Sequence, residues 1–250
     1  MSARHAWLRQ LAALAVVLGA WEAAGRAHWL NPLFVPSPSQ IGAALADLFG
    51  SGRIWPHLEA TFTAALGGLG IGIVVGILLG VVAALVPFLG ELIEPVMTVL
   101  NAIPRVILAP LFVIWLGIGL ASKVALAFIL VAVVIFFTVY TGIRQVDRRL
   151  VERIVTLGGG RRALLTEVYL PSVLAWILGQ LKVAVGFAFT GAVVGEFVAA
   201  TRGLGYLLSF AQSTYNAALM LAIVLLIVGF VLLIFALTGW LERRLLAWRG

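Results

Sequence analysis

Long apolar stretches alternate along this chain with shorter segments that hold most of its charges and several of its prolines. The apolar runs cover residues 11–24, 61–86, 92–116, 124–142, 176–200 and 217–240. All but the first reach or approach the roughly 20 residues that an α-helix needs to cross a bilayer. The pattern predicts six membrane-spanning helices. The first run is short, carries Glu22 and follows Arg4 and Arg9, which also resembles a secretory signal. No small-x-small cleavage site followed by a polar domain comes after it, so an uncleaved helix is expected. Between the first two runs, Trp29, Pro32, Pro36, Pro38 and Trp55 predict a bent strap at the membrane interface, with a short amphipathic helix over 39–49 capped by Ser37 or Ser39.

Composition agrees with a lipid environment. Hydrophobic residues make up 63% of the 250, and charged residues only 11%, against about 25% in soluble domains. The net charge of +7 would suit nucleic acid only if the basic side chains formed a solvated stripe, whereas here they flank apolar runs. Eleven of the 17 Lys and Arg lie at the N-terminus (Arg4, Arg9), in segment 143–175 (Arg144, Arg148, Arg149, Arg153, Arg161, Arg162) and at the C-terminus (Arg243, Arg244, Arg249). Four lie in the alternate segments: Arg26, Arg53, Lys123 and Arg202. The positive-inside rule then places both termini and segment 143–175 in the cytoplasm.

Within the spans three features stand out. Gly68, Gly72, Gly76 and Gly80 recur every four residues and give the second span a face of nearly bare backbone. That face is read as a helix-packing surface, with a backbone-lined conduit as the alternative. The third span holds Pro104 and Pro110 beside Asn101 and Arg105, so it is expected to kink or unwind near its middle, where non-helical backbone must face protein or a water-filled cavity. Arg105 either lines a pathway or snorkels to the interface; Lys182 is read as a snorkelling anchor, and Glu196, near the outer end of the fifth span, as interfacial or helix-pairing.

Catalytic chemistry finds little support. Cysteine is absent, which excludes disulfides, thiolate metal sites and a cysteine nucleophile. His5, His28 and His57 fall outside the predicted spans without ligand-spaced companions. A phosphate-binding P-loop is missing too, because the two lysines, Lys123 and Lys182, follow Ser122 and Leu181 rather than glycine.

Segment 144–171 reads RQVDRRLVERIVTLGGGRRALLTEVYLP. Val146, Leu150, Val151, Ile154 and Leu157 recur at helical spacing, Gly158, Gly159 and Gly160 break the helix, and a second amphipathic turn follows through Ala163 to Leu170. Residue chemistry alone leaves two uses open: docking into a groove of another protein, or lying on anionic lipid. The spacing of Glu152, Gly158, Val168 and Leu170-Pro171 resembles the EAA signature of permease subunits of bacterial ATP-binding-cassette (ABC) importers, although Arg153 and Ile154 replace two alanines and Val168 an isoleucine. The likeness extends through VPSPSQI at 35–41, NAIPRVILAPLFVIWLGIG at 101–119 and GEFVAATRGLGYLL at 195–208, covering about residues 32–240. These stretches are similar to the branch that imports nitrate, bicarbonate, taurine and aliphatic sulfonates.

The resemblance implies an all-α polytopic membrane protein of six transmembrane helices with the type I ABC importer permease (MetI-like) fold, in the bacterial inner membrane. Its parts would be a first helix and flank (1–30), an external connection with an interfacial helix (31–58), the transmembrane domain (59–240) with its coupling loop (143–171), and a cytoplasmic tail (241–250). Two permease chains, as a homodimer, would stand on two ABC ATPase subunits that bind ATP and Mg, and a periplasmic or lipid-anchored binding protein would deliver cargo. No cofactor is expected on this chain, no enzymatic activity, and no nucleic-acid partner. Glu152, Arg153, Gly158, Gly159, Arg161, Leu170 and Pro171 would couple to the ATPase, with Leu170-Pro171 closing the coupling segment where the fifth span begins. The pathway candidates are Asn101, Arg105, Thr190 and Glu196, with Arg105 as counter-charge if the cargo is an anion. The same branch is similar to importers of thiamine precursors, riboflavin-like compounds and aromatic carboxylates. An ion-coupled secondary transporter or channel is the rival class, but it needs intramembrane carboxylates, and only Glu22 and Glu196 qualify. A non-transporting scaffold is the other.

Overall fold

The computed structural model describes residues 3–245, the side chains of residues 3–6, 105, 148, 161, 241–243 and 245 excepted. The expected C-terminal tail therefore lies mostly outside the described residues, and only the backbone is described for Arg105 and Arg161.

The described chain is all helical. Helix α1 (Ala3–Arg26) leads through a proline-rich strap to α2 (Pro38–Gly50), whose N-cap is Ser37. The Ser37 N–H donates to Gln40 Oε1 at 2.9 Å, and the Ser39 N–H donates to Glu22 Oε2 at 2.9 Å. The acid that looked out of place in the first span thus ties the end of α1 to the start of α2. Its other oxygen pairs with Arg26 at 2.7 Å.

Helix α3 (Trp55–Leu85) begins six residues before the predicted span, with Pro56 in its first turn, where a missing N–H costs nothing. This corrects the reading of His57 as lying outside the spans. A short break at Val86 precedes α4 (Pro87–Ala102). The third run is indeed broken: Ile103 takes extended backbone (φ −67°, ψ 130°), as a residue before proline prefers, a single 3₁₀ turn covers Arg105–Ile107, and α5 (Leu108–Leu116) completes the run. Helices α6 (Leu120–Arg144), α7 (Arg148–Thr156), the short α8 (Arg161–Ala163), α9 (Leu170–Val198), α10 (Leu204–Ser213) and α11 (Ala217–Leu245) follow.

Leu164–Tyr169 forms a π-helical turn that joins α8 to α9, so the helical path is continuous from 161 to 198. Leu170-Pro171 opens α9 at the end of this turn, inside a continuous helical path. Pro171 lacks the N–H that would continue the α-ladder, and the π register just before it, with the Leu170 N–H donating to Leu165 C=O, carries the helix past the gap instead of ending it.

Among the described residues, four helices are long and apolar enough to cross a membrane: Trp55–Leu85, Leu120–Arg144, Leu164–Val198 and Ala217–Trp240. The most extensive pairing is α3 on α6, followed by α6 on α9. Gly68, Gly72, Gly76 and Gly80 are buried along this seam, opposite Ala127, Val131, Ile135 and Val139, which repeat at the same interval of four on α6. A Cβ on Gly72 would stand 2.6 Å from that of Val131, and one on Gly80 would stand 2.8 Å from that of Val139. Backbone and side chain meet there with no room for a methyl group. Ala184, Ala188 and Ala192 of α9 join Val131, Ile135 and Val139 of that α6 row in one buried cluster, which forms the core.

Candidate functional site

The broken third span leaves a cavity of about 480 Å³ between its unwound stretch and helices α6 and α9. Asn101, Pro104 and Val106 form one wall, Leu126 the second, and Phe187 and Thr190 the third. Two of the four pathway candidates, Asn101 and Thr190, are thereby brought to one space. The Thr190 hydroxyl donates to the Gly186 carbonyl at 2.8 Å, so its oxygen lone pairs face outward while the proton serves the helix. Arg105 sits in the adjoining 3₁₀ turn, with its side chain outside the described residues.

Glu196 is not in that cavity. It lies six residues past Thr190, about 1.7 turns further along α9, buried to 2% exposure, where its Oε2 accepts from Thr61 Oγ1 at 2.8 Å and from the Gly205 N–H at 3.0 Å. Thr61 in turn accepts from the Leu204 N–H at 2.8 Å, and His57 Nδ1 accepts from the Gly203 N–H at 3.1 Å. Three consecutive amides at the start of α10 are therefore held by side chains of α3 and α9. This arrangement docks α10 against the end of the bundle without leaving buried donors unpaired. The His57 ring also stacks on Tyr206 at 5.7 Å. Beside this knot, buried Lys123 donates to the Ile118 carbonyl and to Ser122 Oγ, and shares with Glu196 the lining of a second cavity, about 190 Å³.

Sequence reasoning missed His57, Thr61 and Lys123 as members of one group. The available signal was Thr61 itself, a polar residue seven positions before Gly68, on the face of α3 that the glycines mark.

At the other end of the bundle the predicted coupling segment has a distinct geometry. Asp147 caps α7 by accepting from the Arg149 N–H at 2.9 Å. The helix terminates at Gly158, whose φ of +82° is costly for any residue with a Cβ. Gly159 is confined as well, since a Cβ there would press on Ile154. Glu152 and Arg153 lie on α7, and Leu150, Val155 and Leu157 are exposed, Leu157 to 78%. Leu150 and Leu157, seven residues apart, fall on one side of this strongly charged helix and its cap, and Val155 on another. Leu170 and Pro171 stand apart from this corner, inside the continuous run toward α9.

Comparison with known proteins agrees with these features. Residues 72–247 match the family described as binding-protein-dependent transport system inner membrane component. The riboflavin transport system permease protein RibX of Chloroflexus aurantiacus is 35% identical over 95% of this chain and 88% of its own length. The formylaminopyrimidine transport permease protein ThiX of Halalkalibacterium halodurans is 34% identical over 92% of this chain and 91% of its own. The taurine transport system permease protein TauC of Escherichia coli is 29% identical, with coverages of 95% and 88%. In fold, a chain of the inward-facing MetNI methionine ABC transporter superposes with a TM-score of 0.62 at 23% identity, covering 76% of this chain and 93% of that one. A chain of an amino acid ABC transporter gives 0.66 at 17% identity, with coverages of 80% and 97%. The expected MetI-like fold is thus present. The chain belongs to the binding-protein-dependent transport system inner membrane components, as a multi-pass, non-catalytic permease subunit of an ABC transporter that works with ATPase and binding-protein partners.

Proposed function

We propose that this chain forms half of the path by which a small organic solute enters the cell, crossing the inner membrane six times with both termini in the cytoplasm. It would pair with a second copy of itself on two ATPase subunits, which bind ATP and Mg. The observation that carries this reading is the helical run from 161 to 198. One end of it adjoins the glycine corner behind the exposed Leu150 and Leu157, and the other carries Phe187 and Thr190 into the wall of the 480 Å³ cavity. A displacement imposed on the coupling corner by nucleotide-driven closure of the ATPases would be delivered to that wall. Glu152, Arg153, Gly158, Gly159 and Arg161 are the proposed coupling residues, and Asn101, Arg105 and Thr190 the proposed pathway residues. Glu196 supports the pathway indirectly, through its hold on α10.

The cavity also bears on the cargo. Its walls are mainly apolar, with Leu126, Leu130 and Phe187 beside the amide of Asn101 and the hydroxyl of Thr190. A solute with an apolar carbon body and one charged end, such as an alkyl sulfonate, suits that division better than nitrate, bicarbonate or taurine, whose two-carbon body carries a charge at each end, and Arg105 in the neighbouring turn is the proposed counter-charge. A flat heterocycle is the second reading, favoured by Phe187 and by the relatives named for riboflavin and formylaminopyrimidine transport.

The test is uptake by vesicles holding the whole complex with its binding protein, offered labelled taurine, butanesulfonate or riboflavin. ATP-dependent accumulation of butanesulfonate in preference to taurine supports the reading, and accumulation of riboflavin alone selects the second. Uptake that survives without ATP and collapses with the ion gradient would replace the importer with an ion-coupled transporter.

A further inference from the structure

An apolar cavity of about 230 Å³ opens beside the π-helical turn, at the end of the bundle assigned to the cytoplasm. Val81 and Leu85 of α3, Ile143 of α6, and Leu165, Thr166 and Tyr169 of the π turn line it. Thr166 spends its hydroxyl on the Arg162 carbonyl at 3.0 Å, so the cavity has too few polar partners to hold water in place. Leu85, Leu165 and Leu170 at its mouth are exposed, each 43% to 52%, so the cavity opens between apolar side chains. In a chain that crosses the membrane, the medium on that side is hydrocarbon. Arg162 precedes lining residue Leu165 by three, less than one helical turn, whereas Arg144 is held on Tyr140, whose hydroxyl donates to Glu94. Segment 143–171 carries six arginines against Asp147, Glu152 and Glu167. A basic rim beside an apolar slot matches an acyl chain that bears a negative headgroup.

We propose that this cavity holds one acyl chain of an anionic phospholipid from the inner leaflet, with its phosphate on Arg162 and the basic residues near it. The inference rests on the cytoplasmic placement of this end under the function proposed above. The chain would fill the space into which the π turn could otherwise collapse, and so would keep the joint between the coupling corner and α9 stiff. Lipid then becomes a structural part of the transmission element.

The test uses the full complex in nanodiscs containing phosphatidylglycerol or phosphatidylcholine with a photoreactive group on one acyl chain, and maps the crosslinked peptides. Labelling of 77–85 and 164–173 should exceed that of α1, whose exposed Leu11, Leu14 and Val16 report ordinary lipid contact. Thr166→Phe, or Val81→Phe from the opposite wall, should reduce labelling by both lipids. Arg162→Gln should lower only the phosphatidylglycerol signal, by about fivefold, the value of one basic residue near an anionic surface. Labelling no stronger than on α1, or unchanged in both cavity-filling variants, overturns the proposal. So does finding those peptides crosslinked to the second permease chain or the ATPase instead. Uptake is measured separately: normal ATP-driven transport with no lipid labelling removes this inference alone, whereas ion-driven uptake removes the function on which it rests.

Discussion

Thr61 does two jobs with one oxygen. Its hydroxyl proton goes to Glu196 and its lone pair takes the Leu204 amide, so removing it strands a buried carboxylate bond and a buried N–H together. Leaving a buried polar group unsatisfied costs about 1–3 kcal/mol. Thr61→Val, which keeps the shape, should therefore lower the melting temperature of the detergent-purified chain by several degrees, while Thr61→Ser should melt close to wild type. Equal melting of Thr61→Val and wild type would show that water or a neighbour replaces the hydroxyl. Gly158 offers a contrast at the same scale. Its φ of +82° makes any side chain strained, by about 1–2 kcal/mol per residue. Gly160 has no such angle, and nothing lies within 4 Å of where its Cβ would stand. Gly158→Val should abolish transport-stimulated ATP hydrolysis and leave the membrane core assembled, whereas Gly160→Ala should hydrolyse ATP as wild type does.

Among the elements, α3 was the most legible, because four glycines at a fixed interval can have few purposes in lipid other than close approach. Their partners were not legible. Ala127, Val131, Ile135 and Val139 sit inside an almost unbroken apolar run, where period four cannot be told from any other. The difference yields a paired prediction. Gly72→Leu would drive a side chain into Val131 and should cost about 1–3 kcal/mol or more through overpacking. Gly70→Ala, with nothing within 4 Å, should be neutral or stabilising by up to about 1 kcal/mol. Comparing their thermal unfolding with wild type checks both, and equal losses would mean that the seam is not tightly packed. The break in the third span could be read from Pro104, since proline acts locally. The unbroken path into α9 could not, because Pro171 signals an ending unless the π turn before it is known. The Thr61–Glu196 bond spans 135 residues of sequence, and no local pattern reports a contact of that kind.

At the scale of the molecule, the lever and the orientation stand or fall together. The path from 161 to 198 is about 57 Å long at 1.5 Å per residue, enough to connect a cytoplasmic contact with the outer end of the bundle, but only if segment 143–171 is cytoplasmic. Charge bias alone assigns that side. The chain contains no cysteine, so a single introduced thiol reports its position without background. Trp29 and Tyr215 are exposed to 83% and 76% at the end assigned to the exterior, and Leu157 to 78% at the coupling corner. A membrane-impermeant maleimide should label Trp29→Cys and Tyr215→Cys in spheroplasts, and Leu157→Cys only after permeabilisation. Adding the ATPase subunits to inverted vesicles should then shield Leu157→Cys, because the corner at the end of α7 is the surface they are proposed to cover. Labelling of Leu157→Cys in sealed spheroplasts would invert the topology and leave the lever with nothing to push it. Correct sidedness without shielding would keep the topology and move the docking surface elsewhere on the cytoplasmic side.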